Sequence, residues 1–206
     1  METMKKNLTL IIVLAVIVIL CGFGCSNYNG LVNEEQNVDK TWADVQNQYQ
    51  RRFDLIPNLV ETVKGYASHE KETFENVTMA RAGLSNAYNA ADSLKNSVNT
   101  SDAASMERYN ASQTELGRAF NIYVNAVREA YPDLKANEQF LSLQDQLEGT
   151  ENRIATSRMK YTEAVQKYNL KVKRFPGNIF AGIFGFAEKA QFEADSQAQT
   201  APKVQF

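Results

Sequence analysis

Two interleaved rows of residues at heptad spacing constrain this chain more than any other feature. One row is Tyr28, Glu35, Trp42, Tyr49, Ile56 and Val63; the other is Leu31, Val38, Val45, Arg52, Leu59 and Tyr66. A stripe at this spacing lies on one face of an α-helix and needs another helix to cover it. The register passes through Pro57 without slipping. Proline inside a helix removes a hydrogen bond and bends the axis. The pattern predicts one long kinked helix, or two helices nearly in line. Glu35 and Arg52 interrupt the stripe, and there they are expected to snorkel or to find partners at the bundle edge.

The rest of the chain follows the same logic. Apolar spacing continues through Phe74, Val77 and Ala80, then weakens. Residues 84–104 are rich in Ser, Asn, Ala and Asp and read as a helix end, a loop and a new start, with Asp102 as N-cap. Met106, Tyr109, Leu116, Phe120, Tyr123, Val124, Val127 and Tyr131 mark a further helix, which Pro132 breaks. A last long helix runs from about Asp133, with Phe140, Leu143, Leu147, Ile154, Tyr161, Val165, Tyr168, Val172 and Phe175 on one face. Phe175-Pro176-Gly177 stops it. Only four prolines and ten glycines occur, which suits helix. No stretch sustains period-two alternation. The expected fold class is all-α: an elongated antiparallel up-and-down bundle of heptad-patterned, coiled-coil-like helices.

Before the bundle, Lys5 and Lys6 precede an apolar run at 8–23, relieved only by Thr9. The run is roughly 16 to 18 residues, at the short edge of what crosses a bilayer. Mean hydropathy is −0.40 despite it, so the remainder is distinctly polar. A retained signal-anchor is favoured, because the run is long for a cleaved segment and no Ala-x-Ala site follows. A cleaved secretory peptide is the second reading. The third is a lipoprotein signal with lipid on Cys25: Gly24 and Ser26 suit it, while Gly22 stands where a large aliphatic is usual. Glu34, Glu35 and Asp39 follow the run with only Lys40 against them. The positive-inside rule then places the N-terminus in the cytoplasm and the domain on the non-cytoplasmic side. The resulting division is a short tail at 1–7, a single-pass transmembrane signal-anchor at 8–25, a helical-bundle domain at 26–192 and a Ser/Gln/Ala-rich tail at 193–206, expected to be disordered.

Longer motifs add a resemblance. Tyr28-Asn29-Gly30-Leu31-Val32 leads to Val38-Asp39, Trp42 and then Gln48-Tyr49-Gln50-Arg51-Arg52-Phe53-Asp54-Leu55-Ile56-Pro57-Asn58-Leu59-Val60. Thr62-Val63-Lys64-Gly65-Tyr66-Ala67 and His69-Glu70 follow. Later come Tyr131-Pro132-Asp133-Leu134-Lys135-Ala136-Asn137 and Leu147-Glu148-Gly149-Thr150-Glu151-Asn152-Arg153-Ile154-Ala155, then Phe175-Pro176 and Phe184-Gly185-Phe186. Over nearly its whole length the chain resembles the LemA family of bacterial and archaeal membrane-associated proteins. The resemblance implies one N-terminal transmembrane segment and an antiparallel helical bundle. It implies no catalytic activity, cofactor or substrate, so no site residues carry over. The Cys25 region departs from the usual polar join after the anchor.

Most chemistries find no residues to carry them. The single histidine, His69, is followed by Glu70 on a polar helix end and reads as a solvated surface residue. With one histidine, and both cysteines at the end of the apolar run, common zinc sites cannot be assembled in the domain. There is no phosphate-binding glycine loop and no Gly-x-Ser-x-Gly elbow. The formal charge of −2 gives no sign of a nucleic-acid face. No cofactor and no small-molecule substrate are expected. Two polar clusters, around Arg51, Arg52 and Asp54 and around Glu148, Glu151 and Arg153, lie about halfway along helices expected side by side; they read as a hydrogen-bond network that sets register. The C-terminal aromatic stretch, with Phe180, Ile183, Phe184 and Phe186 beside Lys171, Lys173 and Arg174, either caps the bundle or touches lipid or a partner. The expected function is a membrane-anchored, non-enzymatic scaffold or adaptor for unknown protein partners. The alternative is a membrane-remodelling or lipid-sensing protein that uses the Phe-rich loop.

Overall fold

A computed structural model of the chain describes the backbone of residues 2–67 and 74–192. Within these ranges it describes side chains from 22 onward, save position 135, and before that at 12, 14, 15 and 18. The elements are α1 (Glu2–Ala67), α2 (Glu75–Leu94), α3 (Ala103–Ala130), a short 3-10 turn (Pro132–Ala136), α4 (Glu138–Lys173) and α5 (Gly177–Phe184). Among the described residues there is no strand. Side-chain bonds tell the direction of packing. Lys171 meets Glu34, Arg153 meets Gln48 and Arg52 meets Glu151, so α1 and α4 run antiparallel. Tyr49 meets Tyr109 while Arg52 meets Gln113, so α3 runs parallel to α1.

The first helix is continuous for 66 residues, with Pro57 inside it. The heptad rows face inward: Leu31, Val38, Val45 and Leu59 are buried, as are Trp42, Tyr49, Ile56 and Val63. Tyr28, at the start of the stripe, is exposed. The weak segment at 84–104 needs correction. The region 84–94 is helix, the second half of α2, with Leu84, Ala87 and Ala91 buried. Its alanines carry small inward faces that a search for large apolar residues passes over. Asp102 does cap α3, accepting from the Ala104 N–H at 3.0 Å. The last helix starts later than Asp133: Pro132 opens the 3-10 turn, and Asn137 then caps α4 by accepting from the Phe140 N–H at 3.0 Å.

Two hydrophobic clusters fill the bundle. One contains Phe53, Leu59, Leu116, Phe120, Val127, Phe140 and Leu147. The other contains Val38, Trp42, Tyr49, Tyr109, Ile154, Tyr161 and Tyr168. Arg52, Gln113 and Glu151 lie at the boundary. Towards the N-terminal end of α1 the bundle thins to α1 and α4, because α3 only begins at Ala103. There the segment after α5 takes the missing place: Phe186, Ala190 and Phe192 pack on the second cluster. Among the described residues, no helix is long and apolar enough to cross a membrane. The expected anchor at 8–25 falls largely on side chains outside that set. The expected tail at 193–206 and His69 lie outside the described residues.

Candidate functional site

The chain builds its least ordinary surface where α4, α5 and the start of the bundle meet. The last turn of α4 closes with the Arg174 N–H bonding to the Leu170 carbonyl at 3.0 Å. The backbone then folds back sharply at Gly177. A Cβ at this position would collide with the Lys171 carbonyl, so only glycine fits. The following α5 ends at Gly185, which is left-handed with φ 78°, a conformation that costs glycine little.

This short helix has two faces. Inward, Ala181 is buried and the Phe180 ring lies against Gly24, where an added Cβ would stand 3.3 Å from it. Tyr28 of α1 packs edge-on against Phe184 at 4.9 Å and Phe186 at 5.7 Å. Outward, Ile179 is 50% exposed, Ile183 68% and Phe184 54%, with Phe175 at 80% just before them. Phe23 of α1, next to Gly24, is also exposed. Of the expected contact residues, Ile183 and Phe184 thus face out, while Phe180 and Phe186 turn largely inward. The aromatic stretch does both things weighed for it: it caps the end of the bundle and leaves an apolar edge. Its basic neighbours are partly engaged. Lys171 pairs with Glu34 at 3.1 Å and donates to the Gly30 carbonyl, and Lys173 pairs with Glu188 at 2.8 Å. Arg174 is exposed, and the Cys25 thiol is free and exposed at the same level.

The two polar clusters expected to form one network divide. Arg52 is buried, not at the bundle edge. It donates to Glu151 at 3.0 Å, to the Gln113 carbonyl at 3.1 Å and to the Gln113 side-chain oxygen. Its guanidinium also lies 5.4 Å from the Tyr49 ring centre. Arg153 donates to Gln48 at 3.2 Å and to Thr150 at 2.9 Å. The other members do not join. Arg51 is exposed, Asp54 accepts from Gln50 along α1, and Glu148 accepts from Gln144 along α4. Each of these lies a position away from the inward stripe, so its side chain points along or off its own helix. Gln113 was not anticipated, although its signal was visible: a polar residue on an otherwise apolar face between Tyr109 and Leu116.

Burial shapes the titration of the core phenols. It pushes Tyr123 and Tyr168 up to about 12, and raises Tyr109, Tyr161 and Tyr49 as well. All of these tyrosines stay neutral across the physiological range. Among the described residues, no group of three or more His, Cys, Asp or Glu could hold a metal ion. The arrangement is one of packing and surface rather than of an assembled acid–base pair.

The family model described as LemA family matches residues 41–206. The chain belongs to the LemA family. Within the curated relatives, Protein LemA of Metamycoplasma hominis is 22% identical over 166 residues, covering 81% of this chain and 68% of the relative. Magnetosome protein MamQ 1 and Magnetosome protein MamQ 2 of Paramagnetospirillum magneticum are each 25% identical over 183 residues, covering 84% of this chain and 67% of the relative. The matched span of the LemA family model takes in α2 to α5 and most of the heptad stripe of α1.

Proposed function

We propose that this LemA-family protein is a membrane-anchored, non-catalytic helical scaffold that stands on the bilayer on two supports and presents its bundle to protein partners. One support is the apolar run at 8–23, read as a single-pass anchor. The other is α5, lying at the lipid interface. The observation that carries the reading is the contact of Phe180 with Gly24 and of Tyr28 with Phe184 and Phe186. These contacts hold the exposed face of α5 beside the end of the apolar run. Seating the exposed parts of Ile179, Ile183 and Phe184 in lipid is worth on the order of 1–2 kcal/mol each. The two-lysine bias places the bundle on the non-cytoplasmic side. The partner surface is the far end, where α1 and α4 bound a groove of about 840 Å³ lined by Asn58, Glu61, Thr62, Gln139, Ser142 and Gln146.

The test uses the full chain in liposomes, with Cys21 and Cys25 replaced by serine and one environment-sensitive fluorophore attached at a new cysteine. Lipid-like emission is expected at position 184 and at position 12, and water-like emission at 142. Water-like emission at 184 alone removes the second support; at 12 as well, it removes the anchor. Crosslinking in native membranes followed by mass spectrometry tests the scaffold role, and repeated recovery of no protein partner would sink it. The outward Ile183 and Phe184 also favour a lipid-sensing or membrane-remodelling reading. Vesicle deformation by the intact protein, lost in Ile183→Ser/Phe184→Ser, would select it.

A further inference from the structure

The segment after α5 is held in the way a recognised peptide is held. It leaves the left-handed Gly185 and runs in extended form along a groove between α1, α4 and the α2–α3 connection. The Asn169 side chain reads the backbone of Lys189 at two points, accepting from its N–H at 2.9 Å and donating to its carbonyl at 2.8 Å. The next residue is read as fully. The Ala190 N–H donates to the Thr100 carbonyl at 2.7 Å, and its own carbonyl accepts from the Tyr161 hydroxyl at 3.0 Å. Every backbone polar group of these two residues is therefore satisfied by the groove rather than by the segment itself. A helix-capping coil would bond its own neighbours; an extended ligand bonds its receptor.

Two side chains add selectivity. The Lys189 ammonium pairs with Glu35 at 3.2 Å and is well shielded from solvent. Phe192 enters a pocket of matched chemistry: its ring lies 5.3 Å from Tyr161 and 6.0 Å from Trp42, with the Arg158 guanidinium 4.5 Å above its centre. Aromatic walls and a cation over the face select a ring over an aliphatic chain. Between these anchors, Ala190 is small enough to let the backbone lie flat against Thr100 and Tyr161.

We infer that this groove is a binding site for extended peptides of the pattern Lys-small-x-aromatic, and that residues 189–192 are its built-in occupant. The inference deepens the scaffold reading by naming the class of partner: a protein carrying such a motif in an extended segment, competing with the chain's own copy. A site filled in cis binds a free peptide only to the extent that its occupant is displaced. The tether at Gly185 sets that competition.

The test uses the full-length protein in detergent micelles, without lipid vesicles, so its outcome is independent of whether α5 touches a bilayer. The probe is a fluorescent peptide with the sequence of residues 186–192, followed by anisotropy. The intact protein is expected to bind it weakly. Lys189→Ala/Phe192→Ser, which weakens the internal occupant, is expected to bind at least tenfold more tightly. Adding Asn169→Ala to that variant, or replacing the peptide's lysine by glutamate, is expected to abolish the gain. If the weakened variant keeps its helical circular dichroism and binds no better than the intact chain, or binds a scrambled peptide equally well, the inference is overturned and the segment is only a seal. If that variant loses helix, the intact chain decides. An excess of peptide should then change Trp42 fluorescence as Phe192 leaves its pocket, and no change at saturating peptide overturns the inference.

Discussion

At the scale of single residues, Arg52 is the most consequential side chain in the bundle. Its side chain is 3% exposed, whereas its partner Glu151 is 41% exposed. The two ends of this pair therefore respond differently to mutation. Glu151→Ala leaves a buried cation with only Gln113 for company, and is expected to cost about 2 kcal/mol; the full cost of breaking a buried pair is larger, but Arg52 keeps two hydrogen bonds. Arg52→Met in the same background removes the stranded charge and should restore at least about 1 kcal/mol, because an apolar side chain of similar volume suits a core site. Urea denaturation midpoints of the two single variants and the double variant check this. A double variant no more stable than Glu151→Ala would deny that the stranded charge is the cost. The buried phenols give a second prediction. Below a pH of about 10 they are neutral in both folded and unfolded chains. Between about 10 and 12 the unfolded chain releases protons that folded Tyr123 and Tyr168 retain. The folded state then binds more protons, so stability falls as pH rises, by up to about 1.4 kcal/mol per unit for each such tyrosine. Replacing Tyr123 and Tyr168 by phenylalanine should flatten that alkaline decline. Tyr168→Phe should cost little at neutral pH, since its buried hydroxyl has no hydrogen-bond partner.

At the scale of elements, the turn between α4 and α5 depends on Gly177. Gly177→Ala would drive a methyl group into the Lys171 carbonyl, and backbone cannot give way as a flexible side chain can. The expected result is detachment of α5 with the bundle intact: faster amide exchange over 177–186 and early proteolysis there, with unchanged protection in α1 to α4. Unchanged exchange in α5 would show that the turn relaxes another way. Elements also show how much was legible beforehand. The heptad rows of α1 were readable because large apolar residues recur at fixed spacing and a partner helix must cover them. The N-cap of α3 was readable because an aspartate before a polar helix start has one obvious use. The second half of α2 was not, because Ala87 and Ala91 fill their share of core without a strong apolar signal. Arg52 and Glu151 were picked out as polar breaks in position. Arg51, Asp54 and Glu148 were grouped with them by nearness in sequence, whereas helical phase separates them. The groove around 189–192 had no local signature. Asn169, Tyr161 and Thr100 lie far apart in the chain, and only the fold brings their polar atoms to one strip of backbone.

At the scale of the whole molecule, the decisive feature is that one helix runs unbroken from the apolar segment to the far end of the bundle. A continuous helix transmits the tilt of whatever holds its base. From Gly24 to the level of Glu61 it spans roughly 55 Å at about 1.5 Å per residue. Ser142 lines the same groove as Glu61, so a label there reports the height of the far end. A helix fixed to a bilayer only by its own apolar run is free to tilt over a wide range. If α5 adds a second point of attachment, the rod is held near one angle. The full chain in liposomes, with a donor at position 142 and acceptors in the lipid headgroups, should give a narrow distribution centred near the upright height. Ile179→Ser/Ile183→Ser/Phe184→Ser should broaden that distribution and shift it to shorter distances. Its melting temperature should not change, because all three side chains are at least half exposed and contribute mainly at the lipid surface. A distribution identical to that of the unaltered chain would mean that the stiffness of α1 alone sets the posture, leaving α5 as a cap on the bundle and nothing more.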